Sequence, residues 1–584
     1  MSSFIVLTTV VLLIIALYSN KFRPSVLFLI AVVIFIVFGV LKPEDILKGL
    51  ANKQIVIIIL LLILTAGFKK EFGYRFFDYL FSQNLLPKQF LFRLMLFVST
   101  CSVFINNTPI VAFMIPYVKD WVDRKSLPAS KFMIPLSFAT VLGGMITVVG
   151  TSTSMLLNGL IAESGLTLLN YKDFLFLGLI VTVLGLSYIY TIGYALLPDK
   201  KSAIQEMEEN MNEYLVETVV EPFSVLIGER IKTHLRNLKD IYLFEVIRNG
   251  TSIFPASPEE LIQGSDRLYF SGRTGAIAQL MKEVKGLTLP NTTTLNKYRH
   301  HHCVEAIIPI NSNLIGKKVR ESNFRQRYNA SIIALHRQGK RFAGPVGETI
   351  LSAGDLLLLL GGEKMHSNQS DLFLLKRHDV QLLNRKRTLL NKIAPFGALA
   401  LLVLGITRVL DLFIATLLAI LVFIAVRTIR FNDLKKAFDF DLIVLLIASM
   451  AIGLALSKSG AAQWVVAGVL NFSGTRPVLA ISLLFVVTLL ITAVISNPAT
   501  IAIVFPLAVS LAEQLHISTT PVFVAITFAA SCDFLSPIGY QCNLMVYGPG
   551  NYSFNDFFKI GFPLTILYAA ACLIFISCYY NLQL

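Results

Sequence analysis

The 584 residues are 55% hydrophobic and only 15% charged, with mean hydropathy +0.68 and a formal charge of +15. Soluble domains carry roughly 25% charged residues, so this composition excludes a soluble protein and points to a polytopic α-helical membrane protein. The positive excess reads as Lys and Arg gathered in cytoplasmic loops, and with no nucleic-acid-binding motif a nucleic-acid partner is set aside.

Long apolar runs recur along the chain: Phe4–Leu17, Val26–Leu41, Ile55–Ala66, Phe174–Leu197, Ile393–Ile406, Phe413–Val426 and Phe562–Cys578. Several approach the ~20 residues that cross a bilayer. The first lacks a small-residue cleavage site and reads as a retained helix rather than a signal peptide. The six cysteines have no paired metal-ligand spacing and read as small core residues.

Polar residues interrupt this pattern at "NNTPIVAFMIP", Asn106–Pro116, and again at "SNPATIAIVFP", Ser496–Pro506. Other segments match in the same order. "LANKQIVIIILLLILTAGFKKEFG" (Leu50–Gly73) parallels "AFDFDLIVLLIASMAIGLALSKSG" (Ala437–Gly460), and "GGMITVVGTSTSMLLNG" (Gly143–Gly159) parallels "SCDFLSPIGYQCNLMVYG" (Ser531–Gly548). The sequence therefore predicts two repeats, residues 1–197 and 388–584. Each holds about three helices, a re-entrant hairpin, a broken helix and a final helix. With the N-terminus outside, sixteen Lys and Arg fall in inside loops and seven in outside loops, which satisfies the positive-inside rule and inverts one repeat relative to the other.

Between the repeats the chain is charged and mixed. "VIRNGTSIFPASPEELIQGSDRLYFSG" (Val246–Gly272) and "ALHRQGKRFAGPVGETILSAGDLLLLLGG" (Ala334–Gly362) share a strand, a basic turn, a strand, a Gly-containing turn and a third strand. Two small α/β units are expected, 198–295 and 296–387, on the cytoplasmic side. Both hairpins lie outside them, so the membrane part is expected to fold and bind substrate without the insert. Both units resemble the carboxy-terminal subdomain of potassium-conductance regulators, TrkA-C or RCK-C, which implies pairing and a small regulatory ligand such as a nucleotide. Neither has a GxGxxG loop, so the dinucleotide-binding half of that module is absent.

Inverted repeats with paired Gly, Pro and Asn interruptions mark secondary transporters. A helix broken at mid-membrane frees carbonyls for a cation and exposes N–H groups for an anion. Asn, Ser and Thr oxygens are hard and neutral, which suits Na⁺, and their protons suit an oxyanion. Asp533 stands beside the second break, where an ionisable residue is a functional site by default; it reads either as a proton carrier or as a structurally paired acid.

The two hairpins and broken helices resemble the divalent anion/sodium symporter family of the ion transporter superfamily, over everything except the insert. The resemblance implies sodium ligands at Ser102, Asn106, Asn107 and Gly150 in one half and at Thr492, Ser496, Asn497 and Gly539 in the other. It places Asn107, Thr108, Thr151, Ser496, Asn497, Tyr540 and Asn543 at the substrate; Ser154 stands where a second Asn would match Asn543. It also implies a homodimer in the plasma membrane. Pro498 removes a hydroxyl and an N–H from the second tip, so this site departs from a dicarboxylate or citrate site, and sulfate becomes the first candidate. The alternatives are a dicarboxylate transporter and a cation/proton antiporter exchanging at Asp533. A gated channel is disfavoured because no TVGYG run is present. No nucleophile triad, P-loop or redox motif is found, so no enzyme activity is expected. His300–Cys303 reads as linker rather than metal site, because adjacent strand side chains diverge. The acceptor patterns at Asn291 and Asn551 are expected on the cytoplasmic side.

Overall fold

The computed structural model describes residues 2–18, 24–50, 52–71, 81, 85–125, 127–200, 215–231, 233, 241–253, 256, 259–272, 280–281, 284–290, 303–309, 312–328, 330–337, 340–341, 346–361, 371–375, 389–426, 428–429, 440–493, 495–537 and 539–582. His300–His302 and Asn291 lie outside them.

The helices before the insert include α1 (Ser2–Tyr18), α2 (Pro24–Val37), α3 (Pro43–Leu50), α4 (Lys53–Glu71), α5 (Pro87–Ser102), α6 (Asn107–Arg124), α7 (Met133–Gly144), α8 (Ser152–Glu163) and α9 (Tyr171–Tyr188). After it come α10 (Leu389–Ile406), α11 (Leu412–Ala425), α12 (Phe440–Lys458), α13 (Ala461–Ser473), α14 (Pro477–Thr492), α15 (Asn497–Gln514), α16 (Thr519–Ser531), α17 (Gln541–Tyr547) and α18 (Phe554–Tyr579). Among the described residues two helical stretches, Tyr171–Leu196 and Phe554–Tyr579, are long and apolar enough to cross a bilayer, and α12 and α13 form a third such stretch bent by 70°. Large apolar side chains face outward on these helices, among them Leu12, Val183, Leu421, Leu490 and Ile574, a surface whose natural solvent is lipid.

Ion pairs and capping contacts gather at two ends. Lys458 meets Asp45 and Lys53 meets Asp411, each at 2.7 Å, and Arg408 donates to the Leu169 carbonyl. At the other end Lys131 donates to the Leu197 carbonyl, and Lys200 pairs with Asp556 at 2.6 Å. Arg408 and Asp411 thus tie helices together, with Asp411 also capping α11 through the Phe413 N–H.

Pro116 and Pro506 each follow their helix's first Asn by nine residues. Each removes the backbone donor that the Ala112 or Ala502 carbonyl would otherwise receive.

Among the described residues the insert holds two five-stranded antiparallel sheets. The first has β1 (Leu215–Val220), β2 (Ile241–Arg248), β3 (Thr251–Ile253), β4 (Arg267–Gly272) and β5 (Leu287–Thr288) in the order β3-β2-β4-β1-β5. The second has β6 (Cys303–Ile307), β7 (Ala330–Arg337), β8 (Lys340–Arg341), β9 (Leu356–Gly361) and β10 (Phe373–Leu374) in the order β10-β6-β9-β7-β8. Read from the opposite edge, the second order repeats the first. The registers repeat too: β2 bulges between Leu243 and Glu245, and β7 between Ile332 and Ala334. Arg248 pairs with Asp266 at 2.9 Å and Arg337 with Asp355 at 2.7 Å. The Asp355 hydrogen bond raises the affinity of Arg337 for its proton, while burial pushes the Asp355 carboxyl up.

The outer faces of the two sheets differ. Strand side chains alternate between faces. In β4, Leu268 and Phe270 enter the sheet's own core, while Arg267 and Tyr269 turn to the opposite face and hold Glu217 at 2.7 and 2.9 Å. In β9 the same alternation gives Leu357 and Leu359 to the sheet's core, but Leu356 joins the hydrophobic core of the membrane helices, as do Ile307 and Leu375. Glu305 occupies the β6 position that Glu217 has in β1, yet its cross-strand neighbour is Leu358 rather than a tyrosine. Its carboxylate instead meets Lys119 of α6 at 2.7 Å, with both side chains 5% exposed or less. Gly354 and Leu356 approach Leu544 and Gly548, in and just after α17. The second sheet therefore packs against the membrane helices, a contact the sequence did not signal directly: burial on both faces is why β9 reads Leu-Leu-Leu-Leu-Leu.

Candidate functional site

The two polar tips are the starts of α6 and α15. Asn106 (φ −55°, ψ 144°) and Ser496 (φ −65°, ψ 148°) are their N-cap residues, and neither side chain caps its helix. The N-cap side chains thus supply no acceptor to the first-turn N–H groups, which lie at the positive end of a helix dipole.

Just inside each start, a hydroxyl from the preceding helix fixes a buried carboxamide. Ser102 Oγ donates to Asn107 Oδ1, and Thr492 Oγ1 donates to Asn497 Oδ1 at 3.0 Å. Thr492 Oγ1 also lies 2.9 Å from the Ala530 carbonyl. All four side chains are buried.

A glycine sits against each pair. A Cβ placed on Gly150 would lie 2.4 Å from the Gly144 carbonyl oxygen and 2.5 Å from that of Ser102. On Gly539 it would lie 2.6 Å from the Thr492 carbonyl oxygen and 2.8 Å from each Asp533 carboxylate oxygen. Only glycine admits this approach. The close-packed oxygens around Gly150 are neutral, and such a set fits a hard monovalent cation. Asp533 is 1% exposed, and neither carboxylate oxygen has a hydrogen-bond partner among the described residues. The Ser496 hydroxyl is also buried without a partner.

Of the two broken helices, α8 and α17, the second begins beside the first tip. Thr151 caps α8 by accepting from the Ser154 N–H, and its hydroxyl lies 2.7 Å from Ser154 Oγ. Tyr540 precedes α17, and its hydroxyl accepts from Asn107 Nδ2 at 2.7 Å. Thr108 Oγ1 lies 3.7 Å from Cys542 Sγ. Asn543 stands behind this line. Its amide donates to the Asp533 and Ser536 carbonyls at 2.5 and 3.2 Å, and its oxygen accepts from Ser137 Oγ at 2.7 Å. That carboxamide is saturated by the protein, so Asn543 anchors the break and a substrate would reach it only by displacing these bonds.

Four residues were missed by sequence reasoning. Gly144 packs directly on Asn107, since a Cβ there would lie 2.5 Å from Oδ1. Thr147 holds the turn before Gly150, donating to the Val103 carbonyl at 2.5 Å and accepting from the Gly150 N–H at 3.2 Å. Ser137 and Cys542 make their contacts between the halves. The Gly143-Gly144 pair in an apolar run was the one available signal.

Tyr540→Phe leaves the Asn107 amide without its acceptor. A buried unsatisfied donor costs about 1–3 kcal/mol, and that loss is expected in thermal unfolding of the purified protein. An unchanged melting midpoint would argue that the tip does not depend on this bond.

The citrate transporter family model matches residues 5–390 and 399–584. Uncharacterized transporter sll0640 of Synechocystis sp. is 32% identical over 95% of this chain and 93% of its own length. The putative sulfur deprivation response regulator of Chlamydomonas reinhardtii is 29% identical over 91% of this chain and 94% of its own. Sodium/sulfate cotransporter 2 of the same alga is 27% identical over 61% of this chain and 42% of its own. Because the family model takes in both polar tips, both broken helices and nearly all the rest of the sequence, the chain belongs to the citrate transporter family.

Proposed function

We propose that the protein is a sodium-coupled secondary transporter of a small anion, with sulfate the first candidate. The observation that carries this reading is the pair of equivalent hydroxyl–carboxamide bonds, Ser102 to Asn107 and Thr492 to Asn497, each at an uncapped helix start beside a tightly packed glycine. The oxygens of Ser102, Asn106, Asn107 and Gly150 would hold one sodium, and those of Thr492, Ser496, Asn497 and Gly539 a second. The anion would lie between the tips, against the free N–H groups of α6 and α15 and the polar groups of Asn107, Thr108, Thr151, Ser496, Asn497 and Tyr540. Bound sodium offsets the charge of the anion, so ion and substrate bind together by linkage. The sodium/sulfate name of an algal relative supports both the ion and the substrate class.

In this reading residues 1–197 and 388–584 are inverted repeats, and a moving part bearing both tips exposes the site alternately to either side. Residues 198–295 and 296–387 are TrkA-C-like units on the cytoplasmic side. Both sheets have the same strand order, which supports a duplication.

The test is uptake of radiolabelled sulfate into proteoliposomes holding the purified full chain. An inward sodium gradient should drive accumulation, and replacing sodium by choline should reduce it at least tenfold. Sulfate uptake of equal rate and extent in choline would end the sodium reading. No sodium-driven accumulation of labelled sulfate, with sodium-driven accumulation of labelled succinate or citrate, would reassign the substrate to a dicarboxylate or tricarboxylate.

A further inference from the structure

The two tips are not electrostatically equal. Around Gly150 the close oxygens are the carbonyls of Gly144 and Ser102, both neutral. Around Gly539 they are the Thr492 carbonyl and the two oxygens of Asp533. Among the described residues no hydrogen-bond donor reaches that carboxylate, although it is 1% exposed. An isolated ionised carboxylate is among the most costly groups to bury, and buried charges are found paired with an opposite charge or with a metal ion. The Ser496 hydroxyl at the start of α15 is also buried without a hydrogen-bond partner among the described residues, and among them no cation pairs with Asp533.

We propose that Asp533 is a ligand of the cation held at the second tip, with the Thr492 carbonyl, and that the two cation sites therefore differ by one formal charge. This rests on the sodium reading above. The first site, built from dipoles alone, binds sodium weakly; the second, with a carboxylate in a water-poor setting, binds it more tightly and fills first. A cation at Asp533 also leaves that site neutral, so the charge that attracts the anion comes mainly from the first site. The coupling ions thus have separate tasks: the second-tip ion satisfies the fold, and the first-tip ion responds to substrate.

Sodium titration of the purified full chain, with choline holding ionic strength constant, separates these cases. Thermal stabilisation and calorimetric heat are the readouts, so neither depends on transport. The wild type should titrate in two phases. Asp533→Asn should shift the tighter phase at least tenfold to higher sodium, while Ser102→Ala should shift the weaker one and leave the tighter in place. Asp533→Ser, smaller and equally uncharged, should repeat the Asp533→Asn result if the amide disturbs folding. Two unshifted phases in both Asp533 variants would overturn the assignment of Asp533 and leave sodium coupling standing. A wild type that gives no sodium-dependent heat or stabilisation would overturn the assignment together with the sodium reading.

Discussion

Glu305→Ala should destabilise the protein by about 3 kcal/mol or more, because it strands a buried lysine. Removing one partner of a buried ion pair typically costs about 3–5 kcal/mol. Lys119 keeps a second acid, Asp123, but at 4.0 Å and 39% exposed, so the lower part of that range is expected. Lys119→Met combined with Glu305→Leu should recover most of the loss, since apolar replacement of a buried pair is often neutral or stabilising. Glu217→Ala is the internal comparison. Its partner Arg267 is 34% exposed, so the guanidinium can turn to water and the cost should be clearly smaller. Thermal unfolding of the detergent-purified variants reads all of these changes. A Glu305→Ala protein as stable as the parent would mean that the second sheet does not hold α6 through this pair.

The second large effect is expected at the glycines of the broken helices. Gly150→Ala drives a methyl group against two carbonyl oxygens of the backbone, at 2.4 and 2.5 Å, and neither can swing aside as a side chain could. The break has to move away from Ser102 and Gly144, which separates the oxygens proposed to hold sodium. Sodium-dependent uptake should fall by about tenfold or more, corresponding to at least about 1.4 kcal/mol of lost binding. Gly539→Ala should behave alike through the Thr492 carbonyl and Asp533. A methyl group on Gly397 in α10 would meet nothing within 4 Å, so Gly397→Ala should leave uptake unchanged. Wild-type uptake from Gly150→Ala would show that the close approach at the break has no part in coupling.

Much of this site is readable from sequence because polar residues in an apolar setting need a reason. Asn107 and Asn497 stand out for that cause, and so do the hydroxyls of Ser102 and Thr492 one turn earlier. The apolar runs give the helices, since only intrahelical bonding satisfies the backbone in lipid. Contacts between halves are a different matter. Tyr540 with Asn107, Cys542 with Thr108 and Asn543 with Ser137 are each more than 400 residues apart in the chain, and no local period encodes them. Thr147 escaped notice because a threonine in a membrane run is ordinarily bonded back to its own helix. The docking of the second sheet was half visible. Five consecutive leucines in β9 break the alternation expected of a strand with one wet face, and they signal that the other face is covered. What covers it depends on Glu305, whose partner lies on α6, and only the fold brings the two together.

The same acid in two copies of one strand thus meets different company. In the first sheet Glu217 is held by its own neighbours, and among the described residues that sheet's hydrophobic cluster contains no membrane residue. In the second, leucines have replaced those neighbours, and the acid grips α6 while Leu356 and Gly354 bear on the segment from Leu544 to Gly548. Viewed mechanically, β6 and β9 form a wedge touching both the helix that starts at Asn107 and the short helix that follows Tyr540. A displacement of that wedge loads both sides of the Asn107–Tyr540 bond at once.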